Sequence, residues 1–339
     1  MNGELCADAA LAGYWYAVAR SDAVHDEPAA VRLLARDIVL WRTADGAVTA
    51  APDRCPHREA PLSAGTVADG CLRCPYHGWT FGDEGRCVLV PSANDGVPIP
   101  PRAHLSTVRC TERYGLVWVC LGEPAVDIPT LGLESLERSS EFRRINTPAE
   151  IWRTSAPRMT DNFLDIAHFP FVHAGSFGRA QETRVPKVEL EALDDEFFGY
   201  RYEVDANNSD AGVVASGQAA EVVHRRMTTG FQLPFTVRST IEYDSGLQHV
   251  LLLLTTPVDD VTSLFTFVVW RNDDFDVSAE EIIRFDLGIG AEDKLMLEKI
   301  PGPMPLVRTS LVSVQADRCS VEWRRRLAML LSDGTHREV

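Results

Sequence analysis

The chain has 339 residues, of which 45% are apolar, and its formal net charge is −16. This length allows one large or two ordinary domains with a sizeable core. The excess of acidic side chains repels phosphate backbones, so nucleic acid is excluded as a partner.

The N-terminal segment MNGELCADAALAGYW has neither a basic start nor a long apolar run, so it does not resemble a signal peptide. The most apolar runs, HVLLLLTTPV and SLFTFVVW, are too short to span a bilayer and predict buried strands. We therefore expect a cytoplasmic protein without membrane contact. Its eight cysteines are expected to be thiols or metal ligands rather than a disulfide framework.

The first 120 residues predict an all-β domain. The runs VRLLARDIVLWR, GRCVLVPS and YGLVWVCLG alternate with turn sequences, and ADGAV and FGDEG are typical of hairpins. The stretch LGEPAVDIPTLGLE then predicts a linker, because proline and glycine interrupt regular structure. We place the first domain at residues 1–130 and the second at residues 131–339.

Two loops of the first domain carry paired metal-binding side chains. Cys55 and His57 lie in RCPHRE, and Cys74 and His77 lie in RCPYHGW. Thiolate and imidazole ligands suit zinc or an iron–sulfur cluster. A zinc finger usually takes two cysteines from one loop and two histidines from the other, whereas here each loop supplies one of each. This arrangement favours a [2Fe–2S] cluster with both cysteines on one iron and both histidines on the other.

Three arginines adjoin these ligands, namely Arg54, Arg58 and Arg73. They are either a solvated rim or a basic collar at which an acidic redox partner docks.

The second domain is predicted to be α+β, with an antiparallel sheet flanked by helices. TVRSTIEY, HVLLLLTTPV and TSLFTFVVWR predict strands of one sheet, and SAEEIIRFDLGIGAEDKLMLEKI predicts one or two helices. RMTDNFLDIAHF has helical spacing, which would place Asn162, Asp165 and His168 on one face. Pro170 is expected to break or bend this helix before His173.

A second metal site is predicted in this domain. Two imidazoles and one carboxylate form the facial triad of non-haem iron(II) oxygenases. His168 and His173 supply the imidazoles, and Glu292 or Asp293 supplies the carboxylate. Asp293 falls on the apolar helix face in line with Met296, where a charged carboxylate is costly unless it is paired or binds a metal. Asp293 is therefore favoured.

These two motifs, in this order, resemble the Rieske non-haem iron oxygenases. GYWYAVA, the two cluster loops, ERYGLVWVCLG, DNFLDIAHFPFVH and AEDKLMLEK are similar to the short oxygenases of the vanillate O-demethylase and dicamba monooxygenase type. The resemblance implies a Rieske domain followed by a helix-grip catalytic domain, and a homotrimer in which the cluster of one subunit reduces the iron of its neighbour. It implies that Asp165 bridges His77 of one subunit and His168 of the next, and that Asn162 lies near the iron.

The resemblance also implies the electron supply. The chain carries no G-x-G-x-x-G motif and no second cysteine cluster, so electrons from NAD(P)H are expected through a separate flavin-containing reductase, with or without a ferredoxin between them. The expected reaction is O2-dependent demethylation or hydroxylation of a small aromatic compound, with a methoxylated aromatic acid as the first choice. The alternatives are hydroxylation of a heterocyclic or alkaloid-like natural product, and, from other classes, an electron-transfer protein with an inactive second domain or a zinc-binding structural protein.

The residues that bind the substrate are the least determined by the sequence. Four aromatic side chains in predicted strands could line a pocket or belong to the core, namely Phe231, Phe235, Phe267 and Trp270. Three arginines could hold a substrate carboxylate or be surface charges, namely Arg225, Arg226 and Arg238.

Overall fold

The computed structural model describes most of the chain. The described ranges are 5–130, 132–209, 212–213, 216–273, 275, 277–306 and 311–334. The predicted domain limits at residues 1, 131 and 339 lie outside them, as do the first four residues of the N-terminal segment. The described residues divide into two compact units, which are 5–127 with 256–259, and 128–255 with 260–334.

The first unit consists of short antiparallel strands. They are β1 Tyr16–Arg20, β2 Ala29–Leu33, β3 Arg36–Arg42, β4 Val48–Pro52, β5 Thr66–Ala68, β6 Cys71–Arg73, β7 Thr80–Phe81, β8 Cys87–Leu89, β9 Arg109–Arg113 and β10 Leu116–Cys120. Its short 3₁₀ helices are Leu5–Ala7, Ala9–Gly13, Ser21–Ala23, Leu62–Ala64, Asp83–Gly85 and Pro101–Ala103. The strands described here form sheets in the orders β1-β10-β9, β2-β3-β4 and β5-β6-β7-β8. The all-β prediction and the two predicted hairpins are confirmed.

The turn between β2 and β3 divides the run VRLLARDIVLWR at a place that the sequence does not mark. Leu34 and Ala35 both have left-handed backbone angles, with φ of 49° and 59°, which cost roughly 1–2 kcal/mol per residue without glycine. Their amide groups donate to the carbonyl oxygens of Pro257 and Val258, each at 2.8 Å. A segment far away in the sequence therefore stabilises a turn that local sequence disfavours.

The second unit combines a large antiparallel sheet with helices. The strands are β11 Arg143–Asn146, β12 Glu150–Trp152, β13 Glu191–Ala192, β14 Phe198–Asn207, β15 Val222–Gln232, β16 Thr236–Tyr243, β17 Gln248–Pro257 and β18 Ser263–Arg271. The helices are α1 Leu133–Arg138, α2 Ala156–Phe163, α3 Phe169–Val172, α4 Ala279–Leu297 and α5 Arg318–Gly334, with a 3₁₀ turn at Gln315–Asp317. Over the described residues the sheet order is β11-β18-β17-β16-β15-β14-β13, and β12 also pairs with β18. The α+β prediction is confirmed.

The region predicted as one or two helices is a single helix, α4, of 19 residues. Ser278 caps its start, since its hydroxyl accepts from the amide of Glu281 at 3.2 Å. Gly290 does not break the helix. A Cβ at this position would lie 3.7 Å from the rings of Trp152 and Phe265, so close packing on the sheet outweighs the weak helix propensity of glycine.

The predicted helix through Asn162, Asp165 and His168 is wrong in its extent. Helix α2 ends at Phe163, so the three residues do not share one helical face. The Asp165 carboxylate accepts hydrogen bonds from the amides of Ala167 and His168, at 3.1 and 3.0 Å. Such bonds favour a turn over a helix interior. Pro170 breaks no helix either, because it lies in the first turn of α3, where proline is favoured.

No helix among the described residues combines the length and the apolar character that a bilayer crossing requires.

Candidate metal centres

The two cysteine–histidine loops of the first unit have matching backbones. In the first, the amide of Glu59 donates to the carbonyl of Cys55 at 2.9 Å, and in the second, the amide of Gly78 donates to that of Cys74 at 3.1 Å. Glu59 and Gly78 both have left-handed angles, with φ of 61° and 69°. Each loop therefore folds back four residues after its cysteine, although one is C-x-H and the other C-x-x-H.

The four predicted ligands divide by burial. Cys55 and Cys74 are 1% and 2% exposed and belong to the hydrophobic core of the unit. His57 and His77 lie further out, with ring centroids 4.5 Å apart. The His57 ring also stacks on Trp79 at 4.7 Å and an interplanar angle of 3°. The loops thus bring the two thiols and the two imidazoles together as two separate pairs.

The chemistry of this donor set fits the predicted cluster. Burial, above all, and the neighbouring Cys74 thiol raise the pKa of Cys55 to about 11, so an ionised pair here requires a bound cation. Nδ1 of His57 is buried and has no hydrogen-bond partner. Among the described residues, only the group discussed next brings three possible ligand atoms within 4.8 Å of one another. The loops therefore do not converge on one ion, as a single zinc site would.

The second unit assembles the predicted triad. Nε2 of His173 lies 3.2 Å from Nε2 of His168. Oδ1 of Asp293 lies 3.4 Å from Nε2 of His168 and 3.3 Å from Nε2 of His173. Ligand atoms about 2.1 Å from one metal, at right angles, lie about 3 Å apart. His173 and Asp293 are 2% and 6% exposed. Two buried acceptors and a half-buried one that face one another fit a bound cation.

Two carboxylates outside the triad orient its imidazoles. Nδ1 of His168 bonds to Oδ2 of Asp165 at 2.7 Å, and Nδ1 of His173 bonds to Oε2 of Glu292 at 2.8 Å. Because a carboxylate accepts, each Nδ1 carries the proton and each Nε2 offers its lone pair to a metal. This proton placement follows from the hydrogen-bond network.

The electrostatics agree with this arrangement. Burial opposes ionisation of Asp165, but its hydrogen bonds with His168 and Ala167 and the charge of His168 outweigh burial and lower its pKa. For His173, burial lowers the pKa, but the contacts with Asp293 and Glu292 outweigh burial and raise it. Asp165 is therefore an ionised carboxylate at neutral pH.

The sequence favoured Asp293 over Glu292 as the third member, and the structure brings Asp293 together with the two histidines. The role of Glu292 was missed. Its Oε2 also accepts from the Ser176 hydroxyl at 2.7 Å, so the carboxylate is held on both sides. A chemical argument could have indicated this role, because a metal-binding histidine usually donates its second ring N–H to a carboxylate or carbonyl group.

A cavity of about 160 Å³ opens beside the triad. Alternate residues of four neighbouring strands line it, as the two-residue repeat of a β-strand requires. They are Arg225, Met227 and Thr229 of β15, Ser239, Ile241 and Tyr243 of β16, His249, Leu251 and Leu253 of β17, and Phe265, Phe267 and Val269 of β18. One face of α4 closes the cavity with Phe285, Asp286, Ile289, Gly290 and Asp293. Asn162 also lines it, and its Nδ2 is buried without a hydrogen-bond partner.

The structure separates the substrate-binding candidates. Of the four aromatic residues, Phe267 lines the cavity, whereas Trp270 is buried elsewhere and donates to Glu137. Phe231 and Phe235 are also buried and do not border this cavity. Of the three arginines, Arg225 lines the cavity. Arg226 and Arg238 pair instead with acids away from it, namely Asp244 and Asp194.

Comparison with protein families accounts for both units. Residues 14–109 match the Rieske [2Fe-2S] domain. Residues 152–333 match the vanillate O-demethylase oxygenase C-terminal domain. The chain belongs to the Rieske non-haem iron oxygenases. The predicted family is thereby confirmed. The hypotheses of an electron-transfer protein with an inactive second domain and of a zinc-binding structural protein receive no support.

The oxygenase is similar to curated proteins along most of its length. It is 32% identical to methylxanthine N1-demethylase NdmA of Pseudomonas putida over 306 residues, covering 89% of this chain and 82% of that protein. It is 29% identical to methylxanthine N3-demethylase NdmB of the same species, covering 96% and 91%. The solved structure of Pseudomonas putida CBB5 NdmA with caffeine has a TM-score of 0.81 at 29% identity, covering 95% of this chain and 92% of that chain.

Other relatives include the oxygenase component of dicamba O-demethylase from Stenotrophomonas maltophilia, 31% identical over 183 residues that cover 53% of this chain and 51% of that protein. The oxygenase is therefore the terminal component of a monooxygenase system. It uses a Rieske cluster and a non-haem iron, and the related oxygenase components work with separate reductases. These predictions are confirmed.

Proposed function

We propose that this oxygenase removes a methyl group oxidatively from a small aromatic or heteroaromatic compound, with residues 1–130 as the cluster domain and residues 131–339 as the catalytic domain. The observation that carries the proposal is the triad, whose three ligand atoms lie 3.2–3.4 Å apart and border a largely apolar cavity. Such a cavity suits a flat organic ring.

Two sets of side chains would hold the cluster and the mononuclear iron. The cluster ligands are Cys55, His57, Cys74 and His77, and the ligands of the mononuclear iron are His168, His173 and Asp293. When bound, the cluster relays electrons, and the iron activates dioxygen against a substrate C–H bond.

The chain's own residues position the reaction. Asp165 and Glu292 hold the two imidazoles in the orientation that leaves both Nε2 atoms available. Asp165 would also bridge His77 of one subunit and His168 of the next in a homotrimer, which gives electrons a short path. Asn162, at the cavity wall with an unpartnered Nδ2, would contact the bound reactants.

The apolar strand residues of the cavity exclude water and place a methyl group at the triad. Insertion of one oxygen atom of O2 into a C–H bond of an O–CH3 or N–CH3 group gives a hemiacetal or hemiaminal, which decomposes to formaldehyde and the demethylated product. The other oxygen atom would leave as water, with two electrons from the reductase and two protons. The relatives support this outcome, since NdmA and NdmB are named as N-demethylases. Hydroxylation of a ring carbon of a heterocyclic compound is the alternative outcome at the same site.

The electrons would come from NAD(P)H through a flavin-containing reductase, with or without a ferredoxin, and the enzyme would act in the cytoplasm. The exposed Arg58 and Arg73 beside the cluster ligands suit an acidic redox partner.

The test starts with anaerobic purification and iron analysis. A third iron beyond the two of the [2Fe–2S] cluster, a rhombic EPR signal after dithionite reduction, and formaldehyde release with a surrogate reductase would support the proposal. A reconstituted protein that binds cluster iron alone would contradict it. Turnover to an alcohol without formaldehyde would replace demethylation by hydroxylation.

A further inference from the structure

The wall of the cavity contains a buried cation without a counter-ion. Arg225 is 5% exposed, and its Nε is buried with no hydrogen-bond partner. No acidic side chain of the described residues lies within ion-pair distance of its guanidinium. Its contacts are instead with ring faces, since its Cζ lies 5.2 Å from the Phe177 centroid and 5.5 Å from the Tyr243 centroid. Leaving a charged group buried and unpaired is costly unless a ligand of opposite charge pairs with it.

The position of Arg225 is fixed by strand geometry. It lies directly opposite Tyr243 in the register of β15 and β16, so both side chains point to the same face of the sheet. Arg226, the next residue, points to the opposite face and pairs with Asp244 at 2.7 Å. One of two adjacent arginines is thus neutralised at the surface, and the other is held in the cavity.

The surroundings of Arg225 do not neutralise it. His249 borders the same cavity, and burial, together with the charges of Arg271 and Arg225, keeps its pKa well below the usual value, so the ring is neutral. Arg271 pairs with Asp273 at 3.0 Å, and Asp273 also pairs with Arg143 at 2.9 Å. Asp286 borders the cavity, and burial raises its pKa to about 7 against the influence of Arg271 and Arg225. This end of the cavity therefore keeps a net positive charge.

We propose that Arg225 is a specificity-determining residue that binds an anionic group of the substrate, a carboxylate in the simplest case. The proposal rests on the demethylase function above and narrows its substrate class to aromatic acids. The planar guanidinium matches a carboxylate with two parallel N–H donors, which gives both affinity and orientation.

The arrangement also orients the substrate. The ring of Phe177 contacts both sites, because it stacks on that of His173 at 4.7 Å and its centroid lies 5.2 Å from Cζ of Arg225. A carboxylate held on Arg225 would therefore lie about one ring away from the triad, in the cavity that both border. An aromatic ring along the apolar strands would direct its far end, with the methyl-bearing substituent, towards the triad.

The test compares two ligands of equal shape. Anaerobic holoenzyme is titrated by calorimetry with 4-methoxybenzoate and with its neutral analogue 4-methoxybenzamide. We expect the acid to bind more tightly, and Arg225→Gln to weaken its binding by roughly 10- to 100-fold with little change for the amide. Arg225→Lys keeps the charge without the planar donors and should give an intermediate loss. Arg226→Gln is the matched control on the neighbouring position and should change neither affinity.

The outcomes separate this inference from the proposed function. Equal binding of acid and amide by the wild type, or equal losses for both in Arg225→Gln, would overturn the anion site. If a neutral methylated substrate is nevertheless demethylated, the function stands and the site is wrong. The melting temperature of Arg225→Gln, compared with that of the wild type, tests for unfolding, and a folded Arg225→Lys variant keeps the binding test decisive.

Discussion

The two candidate metal centres differ in the hydrogen bonding of their imidazoles and in how the chain brings their ligands together. In the cluster loops, Nδ1 of His57 has no partner. In the triad, both Nδ1 atoms bond to carboxylates, and both Nε2 atoms face the metal position. The loops bring four proposed ligands from one short stretch, whereas the triad joins a turn after α2 to a helix more than a hundred residues later. The first centre depends on local backbone geometry, and the second depends on tertiary packing.

The largest expected effect comes from removing the long-range member of the triad. Asp293→Ala should abolish product formation and the binding of the mononuclear iron, because two imidazoles alone hold it weakly. The EPR signal of the reduced cluster should persist, since the loops belong to the other unit. Iron analysis and EPR measure both. Loss of the cluster signal in a folded variant would show that the centres are not independent.

Replacing a carboxylate that orients a triad imidazole should have a smaller effect on iron binding and activity. Glu292→Gln keeps the shape but removes the charge that faces Nδ1 of His173, so iron affinity or activity should fall roughly 10- to 100-fold. Competition with a chelator measures the affinity. Glu281→Gln, an exposed position on the same helix, is the control and should behave as the wild type. A Glu292→Gln enzyme with unchanged iron affinity would mean that the hydrogen bond to His173 does not matter.

The polar end of the cavity should make ligand binding depend on pH. The pKa of Asp286 is raised to about 7, so this carboxyl is protonated below that pH and ionised above it. Ionised Asp286 repels an anion, and the affinity for 4-methoxybenzoate should therefore fall several-fold between about pH 6 and pH 8. The charged or titratable groups around it are Arg225 of β15, Tyr243 of β16, His249 of β17, Arg271 of β18 and Asp293 of its own helix.

Calorimetry across this pH range checks that prediction. Asp286→Asn should flatten the profile, and the neutral amide should show no such dependence. A profile for the acid that stays sloped in Asp286→Asn would assign the titration to another group.

The smallest expected effect concerns the turn at Leu34 and Ala35, which is hydrogen-bonded to a segment distant in the sequence. Ala35 is exposed and has a φ of 59°, so Ala35→Gly should relieve strain and stabilise the protein by at most about 1 kcal/mol. Denaturant unfolding of the cluster unit measures it. Ala30→Gly, in the exposed part of β2, should instead destabilise by about 0.5–1 kcal/mol. Equal effects of the two would show that the turn is not strained.

The sequence by itself determined the parts of this protein that are local. The four proposed cluster ligands lie on two loops whose residue types and arrangement carry the signal, and the apolar strands and the helical character of α4 follow from pattern and composition. It also favoured Asp293, because an acid on an apolar helix face needs a partner.

Only the tertiary structure decided the rest. The end of α2 at Phe163, the turn at Leu34 and Ala35, and the role of Glu292 depend on hydrogen bonds or packing that local propensity does not contain. The choice of Arg225 over Arg226 depends on which face of β15 meets the cavity, and a single strand with arginines at both positions does not reveal its inner face. Long-range pairing fixes that face, and with it the charge beside the triad.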